Sequence, residues 1–129
     1  MNFDLKFAIE KMPMIAQYMG NTIYLSLFSM VFGLILAITI VLLRYYRVKG
    51  LQKILQFFVD FFRGTPLVAQ LFFIYYGLAA AFPIFSKLDG STAAVIGMSL
   101  NGAAYMSENL RAALLLSIKR RQKLVSPAA

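Results

Sequence analysis

Cysteine and histidine are both absent from the 129 residues. Their absence removes disulfide scaffolds, Cys or His metal sites, thiol nucleophiles and histidine general bases together. Charge is scarce too: 14% of residues are charged, where a soluble domain carries about 25%. Acids are the scarcest, 5 Asp and Glu against 13 Lys and Arg, for a formal net charge of +8. Hydrophobic residues make up 60% of the chain and its mean hydropathy is +0.73. That balance excludes intrinsic disorder and argues against a soluble globular domain. The length allows one domain at most.

Three long runs lack charge altogether. Asn21–Leu43 and Gly64–Ser86 hold 23 residues each, and Gly90–Ser107 holds 18. At ~1.5 Å per residue, the longer runs reach roughly 34 Å as helices, enough to cross a ~30 Å hydrocarbon core. The pattern predicts an all-α membrane protein with three transmembrane helices near 20–43, 64–86 and 91–117. They must pack as a bundle, because lipid cannot satisfy unpaired backbone groups. The first run follows a segment without net positive charge, so it reads as an uncleaved anchor rather than a signal peptide.

The basic residues set the orientation. Lys6 and Lys11 precede the first run, and Arg44, Arg47, Lys49 and Lys53 follow it. The second connection has Lys87 alone, and Lys119, Arg120, Arg121 and Lys123 follow the third run. The positive-inside rule then places the N-terminus outside, the 44–53 loop inside, the 83–90 loop outside and the tail inside. Topology accounts for the positive charge without nucleic acid. Tyr18, Tyr24, Tyr45 and Tyr46 suit interfacial aromatic belts. Residues 1–19, with Phe3, Phe7 and a break at Pro13, read as an extracytoplasmic interfacial segment. Residues 20–118 then form the transmembrane domain and 119–129 a basic cytoplasmic tail. Small residues recur four apart at Gly33 and Ala37, Gly77 and Ala81, Ala93 and Gly97, and Ala103 and Ser107. That spacing allows close helix approach but names no partner.

A few polar residues need a reason. Asp60 and Arg63 stand three apart, as do Glu108 and Arg111, so each pair can meet on one helical face. A charge at the centre of a membrane helix costs about 2.5–3.5 kcal/mol on insertion scales. Arg63 and Arg111 can snorkel toward the interface. Glu108 is too short for that and is expected to face a polar cavity or a partner chain. Asn101 and Tyr105 share its stripe, so Asn101, Tyr105 and Glu108 are the candidate lining of a substrate path. The alternative is that Asn101 and Tyr105 simply bond to neighbouring helices. The tetrapeptide Arg63-Gly64-Thr65-Pro66 is a structural or gating candidate together with Asp60 and Arg111. Pro66 lacks a backbone donor and disfavours a helical Thr65, which predicts a break of the kind transporters place at binding sites. With five acids and no His or Cys, there is no catalytic acid–base pair, no metal set and no call for a cofactor.

Two stretches carry a resemblance. Phe61-Phe62-Arg63-Gly64-Thr65-Pro66-Leu67-Val68-Ala69-Gln70-Leu71-Phe72-Phe73-Ile74-Tyr75-Tyr76-Gly77 resembles the second transmembrane segment of permease subunits in bacterial ABC importers for polar amino acids. Asn101-Gly102-Ala103-Ala104-Tyr105-Met106-Ser107-Glu108-Asn109-Leu110-Arg111-Ala112-Ala113 resembles the third, and Gly20-Asn21-Thr22-Ile23 the start of the first. The resemblance implies the N-terminal part of a five-helix permease in the bacterial inner membrane. It also implies three kinds of partner: a second permease subunit in a homo- or heterodimer, an extracytoplasmic amino-acid-binding protein and a cytoplasmic ABC ATPase. The ATPase grips a loop after the third helix in that family, and here Lys119 to Ala129 stand in its place. With suitable codons Gln122 to Pro127, read two bases later, encode Glu-Ala-Gly-Leu-Ser, close to the family's loop. The expectation is a permease truncated by a frameshift and uncoupled from ATP. The competing reading is a small holin-like membrane-lesion protein, which has no need of Glu108 or the two long motifs.

Overall fold

The computed structural model describes residues 5–47 and 50–125. Phe3, Asp4, Lys49 and residues 126–129 of the tail lie outside the described residues. Everything described is helix or short turn. Helix α1 spans Leu5–Tyr45, α2 Leu51–Gly64, α3 Leu67–Phe72, α4 Leu78–Ala81 and α5 Gly90–Val125. A π-helical turn at Phe73–Gly77 joins α3 to α4.

Helix α1 has 41 residues, roughly 60 Å of helix and about twice the hydrocarbon thickness. Pro13 lies inside it, so the expected break there does not occur. A proline removes one intrahelical bond and crowds the preceding turn, and here the helix continues through it. The expected interfacial segment is therefore the first turns of the same rod that later crosses the apolar stretch. Its side chains from Leu5 to Met19 are exposed or nearly so.

The run Gly64–Ser86 is not one helix. Thr65 takes extended dihedrals, φ −112° and ψ 144°, and Pro66 follows at φ −62° and ψ 135°. This is the restriction a proline imposes on itself and on its predecessor. The axis turns by 111° between Leu51–Gly64 and Leu67–Ala81. The outgoing rod ends at Phe82, again extended, because Pro83 follows. Among the described residues one helix, α1, is by length and composition long and apolar enough to span a membrane, and the bent pair is a second if counted as one broken span.

Helix α5 has 36 residues and continues through Lys119 to Val125. The described part of the basic segment is therefore helical and continuous with α5. Its start is capped: Asp89 accepts the Thr92 backbone N–H at 3.1 Å and the Thr92 hydroxyl at 2.5 Å. The Thr92 hydroxyl, then its amide, holds the Asp89 carboxyl below the ordinary carboxylate range. The cap's stabilisation is thus present above the unfolded pKa and lost as pH falls through the lower folded value.

Small residues decide which helices touch. Ser29, Gly33 and Ala37 are buried on α1, and Ser99, Ala103 and Ser107 on α5. A Cβ at Gly33 would stand 3.2 Å from the Ser99 carbonyl, so a larger residue would push the two backbones apart by a few tenths of an ångström. The Ser99 hydroxyl donates to the Ser29 carbonyl at 3.3 Å. At Gly97 a Cβ would fall 2.6 Å from Leu71 Cδ2 of the outgoing rod, so that side chain would have to shift. Gly77 is different: it faces Phe73 of its own rod. Helix α2 completes the core with Val59, fully buried against Ile40 and Ala103, flanked by Leu55 and Phe58.

Candidate functional site

The break at Thr65–Pro66 creates a backbone debt. In an unbroken helix the Phe62 carbonyl would accept from residue 66, but proline has no N–H to give. Two side-chain amides fill the gap. Gln70 Nε2 donates to the Phe62 carbonyl at 2.9 Å, to the Thr65 carbonyl at 3.0 Å and to Thr65 Oγ1 at 2.7 Å. Asn101 Nδ2, from α5, donates to the same Phe62 carbonyl at 3.2 Å and to Gln70 Oε1 at 3.2 Å. The Thr65 hydroxyl donates to the Phe61 carbonyl at 2.8 Å, and the Tyr105 hydroxyl to the Arg63 carbonyl at 3.4 Å. Gln70 is 5% exposed, so these bonds have little water to replace them. The Arg63 guanidinium lies 5.5 Å from the centroid of the Tyr105 ring, within cation–π range.

A second polar group joins the C-terminal end of α1, the first half of α2 and the middle of α5. Arg44 Nη1 contacts Glu108 Oε1 at 2.5 Å, and Arg44 Nη2 donates to Gln56 Oε1. Gln56 Nε2 in turn reaches both oxygens of Asp60, at 2.7 and 2.8 Å. Arg111, one turn along α5, lies 3.6 Å from the same Glu108 oxygen. The Arg44 side chain is 10% exposed and that of Glu108 23%. One carboxylate thus serves two guanidinium groups, Arg44 across the α1–α5 interface and Arg111 on its own helix.

Against the sequence expectations, Glu108 and Arg111 do pair. Among the described residues Asp60 and Arg63 do not. Asp60 is taken by Gln56 one turn earlier, and Arg63 turns to Tyr105. Asn101 and Tyr105 bond to the broken helix, as the alternative reading had it, while Glu108, about one turn beyond Tyr105 on α5, belongs to the second group. Sequence reasoning missed three members. Gln70 was signalled by standing alone as an amide in an uncharged run, Gln56 by its i,i+4 spacing to Asp60. Arg44 was absorbed into the topology argument.

No protein-family model matches the chain. It is 41% identical over 115 residues to the probable amino-acid ABC transporter permease protein PatM of Vibrio harveyi, covering 89% of this chain and 52% of that one. It is 37% identical over 114 residues to the arginine transport system permease protein ArtQ of Bacillus subtilis, covering 88% and 51%. A crystal structure of an amino acid ABC transporter with histidines superposes with a TM-score of 0.74 at 26% identity, over 87% of this chain and 51% of that one. The chain spans about half the length of the curated relatives it matches.

Proposed function

We infer that this chain, homologous over most of its length to the permease subunits of amino-acid ABC transporters, forms part of the translocation unit of a bacterial importer for a polar amino acid. The similarity across nearly nine-tenths of the chain carries the reading. It is a multi-pass protein of the inner membrane with its N-terminus outside. The apolar part of α1, the bent pair and α5 make three crossings within residues 20–118. Its partners are a second permease subunit, an extracytoplasmic binding protein and a cytoplasmic ATPase that supplies the hydrolysis.

Asn101, Tyr105 and Glu108 border the path in this reading, and each also holds a movable element. Asn101 and Tyr105 fix the Arg63–Pro66 break, where transporters place flexible backbone. Glu108, midway along α5, clamps that helix to the cytoplasmic end of α1 through Arg44. Releasing that clamp in the other access state frees a carboxylate that can meet a substrate ammonium group. In the sense of alternating access, Asp60, Arg63, Gly64, Thr65, Pro66 and Arg111 belong to the gate.

The absence of native cysteine makes topology directly testable. Lys49→Cys and Ser86→Cys should react with a membrane-impermeant maleimide from opposite sides: Ser86→Cys in intact cells, Lys49→Cys only after permeabilisation. Labelling of both from outside overturns the orientation.

A further inference from the structure

Beyond the polar groups already described, the C-terminal end of α1, the first turns of α2 and the C-terminal half of α5 line an open cavity of about 870 Å³. Arg44, Arg47, Lys53 and Arg111 line it, with Asp60 as the lining acid. Asp60 is held by Gln56, and Glu108 beside the cavity is shared by Arg44 and Arg111. Two positive charges are left over. Arg47 and Lys53 have no ion-pair partner among the described residues. Leu114, Leu115 and Ile118 on α5, the turns that follow Arg111, add an apolar part to the lining. Arg47 also adopts φ +50°, a left-handed conformation that glycine ordinarily takes at a helix C-terminus. An arginine there brings a guanidinium to the cavity mouth in place of hydrogen.

We propose that this cavity binds the phosphodiester headgroup of an anionic phospholipid, with its acyl chains along Leu114, Leu115 and Ile118. An excess of cations in a partly enclosed space selects an anion, and guanidinium groups match phosphate oxygens in pairs. The cavity is too large for a phosphate ion alone, and its apolar wall calls for a ligand with a hydrocarbon part. Basic pockets between helices on the cytoplasmic side take such headgroups. The positive-inside distribution explains why cations lie at this end. It does not explain why four of them line one cavity beside an apolar wall.

The proposal rests on the chain's being membrane-embedded with this end at the inner leaflet. Its test is read in detergent micelles, so it fails or stands separately from the topology labelling. The purified chain, titrated with phosphatidylglycerol or phosphatidylcholine and followed by native mass spectrometry, should retain phosphatidylglycerol preferentially. Arg47→Gln with Lys53→Gln should weaken that retention about 30-fold, the effect of two cations near a lipid headgroup. Neither substitution removes a partner of Glu108, so the helix content by circular dichroism should not change. Lys53→Gln alone, about 5-fold, serves if the double variant misfolds. Arg120→Gln with Arg121→Gln, on the far part of α5, should leave the preference intact. Equal retention of the two lipids, or an equal loss in the Arg120/Arg121 variant, overturns the proposal. So does full displacement of phosphatidylglycerol by millimolar glycerophosphate, which identifies a site for the anion alone.

Discussion

Gln70→Leu is expected to destabilise the chain by about 2–4 kcal/mol, because it strips partners from two carbonyls at the helix break. The bonds to the Phe62 and Thr65 carbonyls disappear, and Asn101 loses the Gln70 oxygen as an acceptor. A net hydrogen bond is worth about 1 kcal/mol, and an unsatisfied buried carbonyl costs about 1–3 kcal/mol. Leucine's better transfer free energy offsets part of this. The diagnostic comparison adds Pro66→Ala, which restores an N–H opposite the Phe62 carbonyl. With alanine at 66, Gln70→Leu and Asn101→Leu should each cost less than half as much. Denaturant titration of the two double-mutant cycles in micelles measures the coupling. If the cost of losing Gln70 is the same with either residue at 66, the amide does not serve the break.

The second large effect is at Glu108. Glu108→Gln leaves the Arg44 guanidinium, 10% exposed, with Gln56 as its remaining partner. Removing one member of a buried pair costs about 3–5 kcal/mol, and partial exposure lowers this to about 2–3 kcal/mol. Arg44→Met together with Glu108→Leu removes both charges and should recover most of the loss. Transport separates structure from mechanism. If the clamp is a gate, the double apolar variant assembled in an active importer is stable but transports poorly. Normal uptake by that variant would show that the pair is structural only.

These two groups mark the boundary of what the sequence could reveal. The break was legible because proline acts on its own φ and on its predecessor, a rule that needs no tertiary context. The small-residue pairs Gly33/Ala37 and Ala103/Ser107 were legible as close-packing stripes, and they meet each other. What was hidden depends on who stands opposite. Composition gave no reason to choose Gln56 over Arg63 as the partner of Asp60, since both lie at helical spacing. Arg44 looked like one more cytoplasmic cation until α5 brought Glu108 to it. The bounds of helices failed for a related reason. A charge-free run reports what lipid would tolerate, whereas the helix ends where backbone bonding stops, and that is at Phe82 and not at Ser86. Pro13 shows the converse, a local breaker outlasted by helix on both sides.

The claim that this chain is a working part of an amino-acid importer is tested most directly by transplanting it. The aligned segment of ArtQ is replaced with the matching residues of this chain, in cells lacking ArtQ, and energy-dependent arginine uptake is measured. A parallel chimera carries the PatM segment at the same junctions. The account expects uptake well above background from this chain's chimera, reduced when Glu108→Gln is introduced. Background uptake from a chimera that reaches the membrane normally, while the PatM chimera transports, would contradict it.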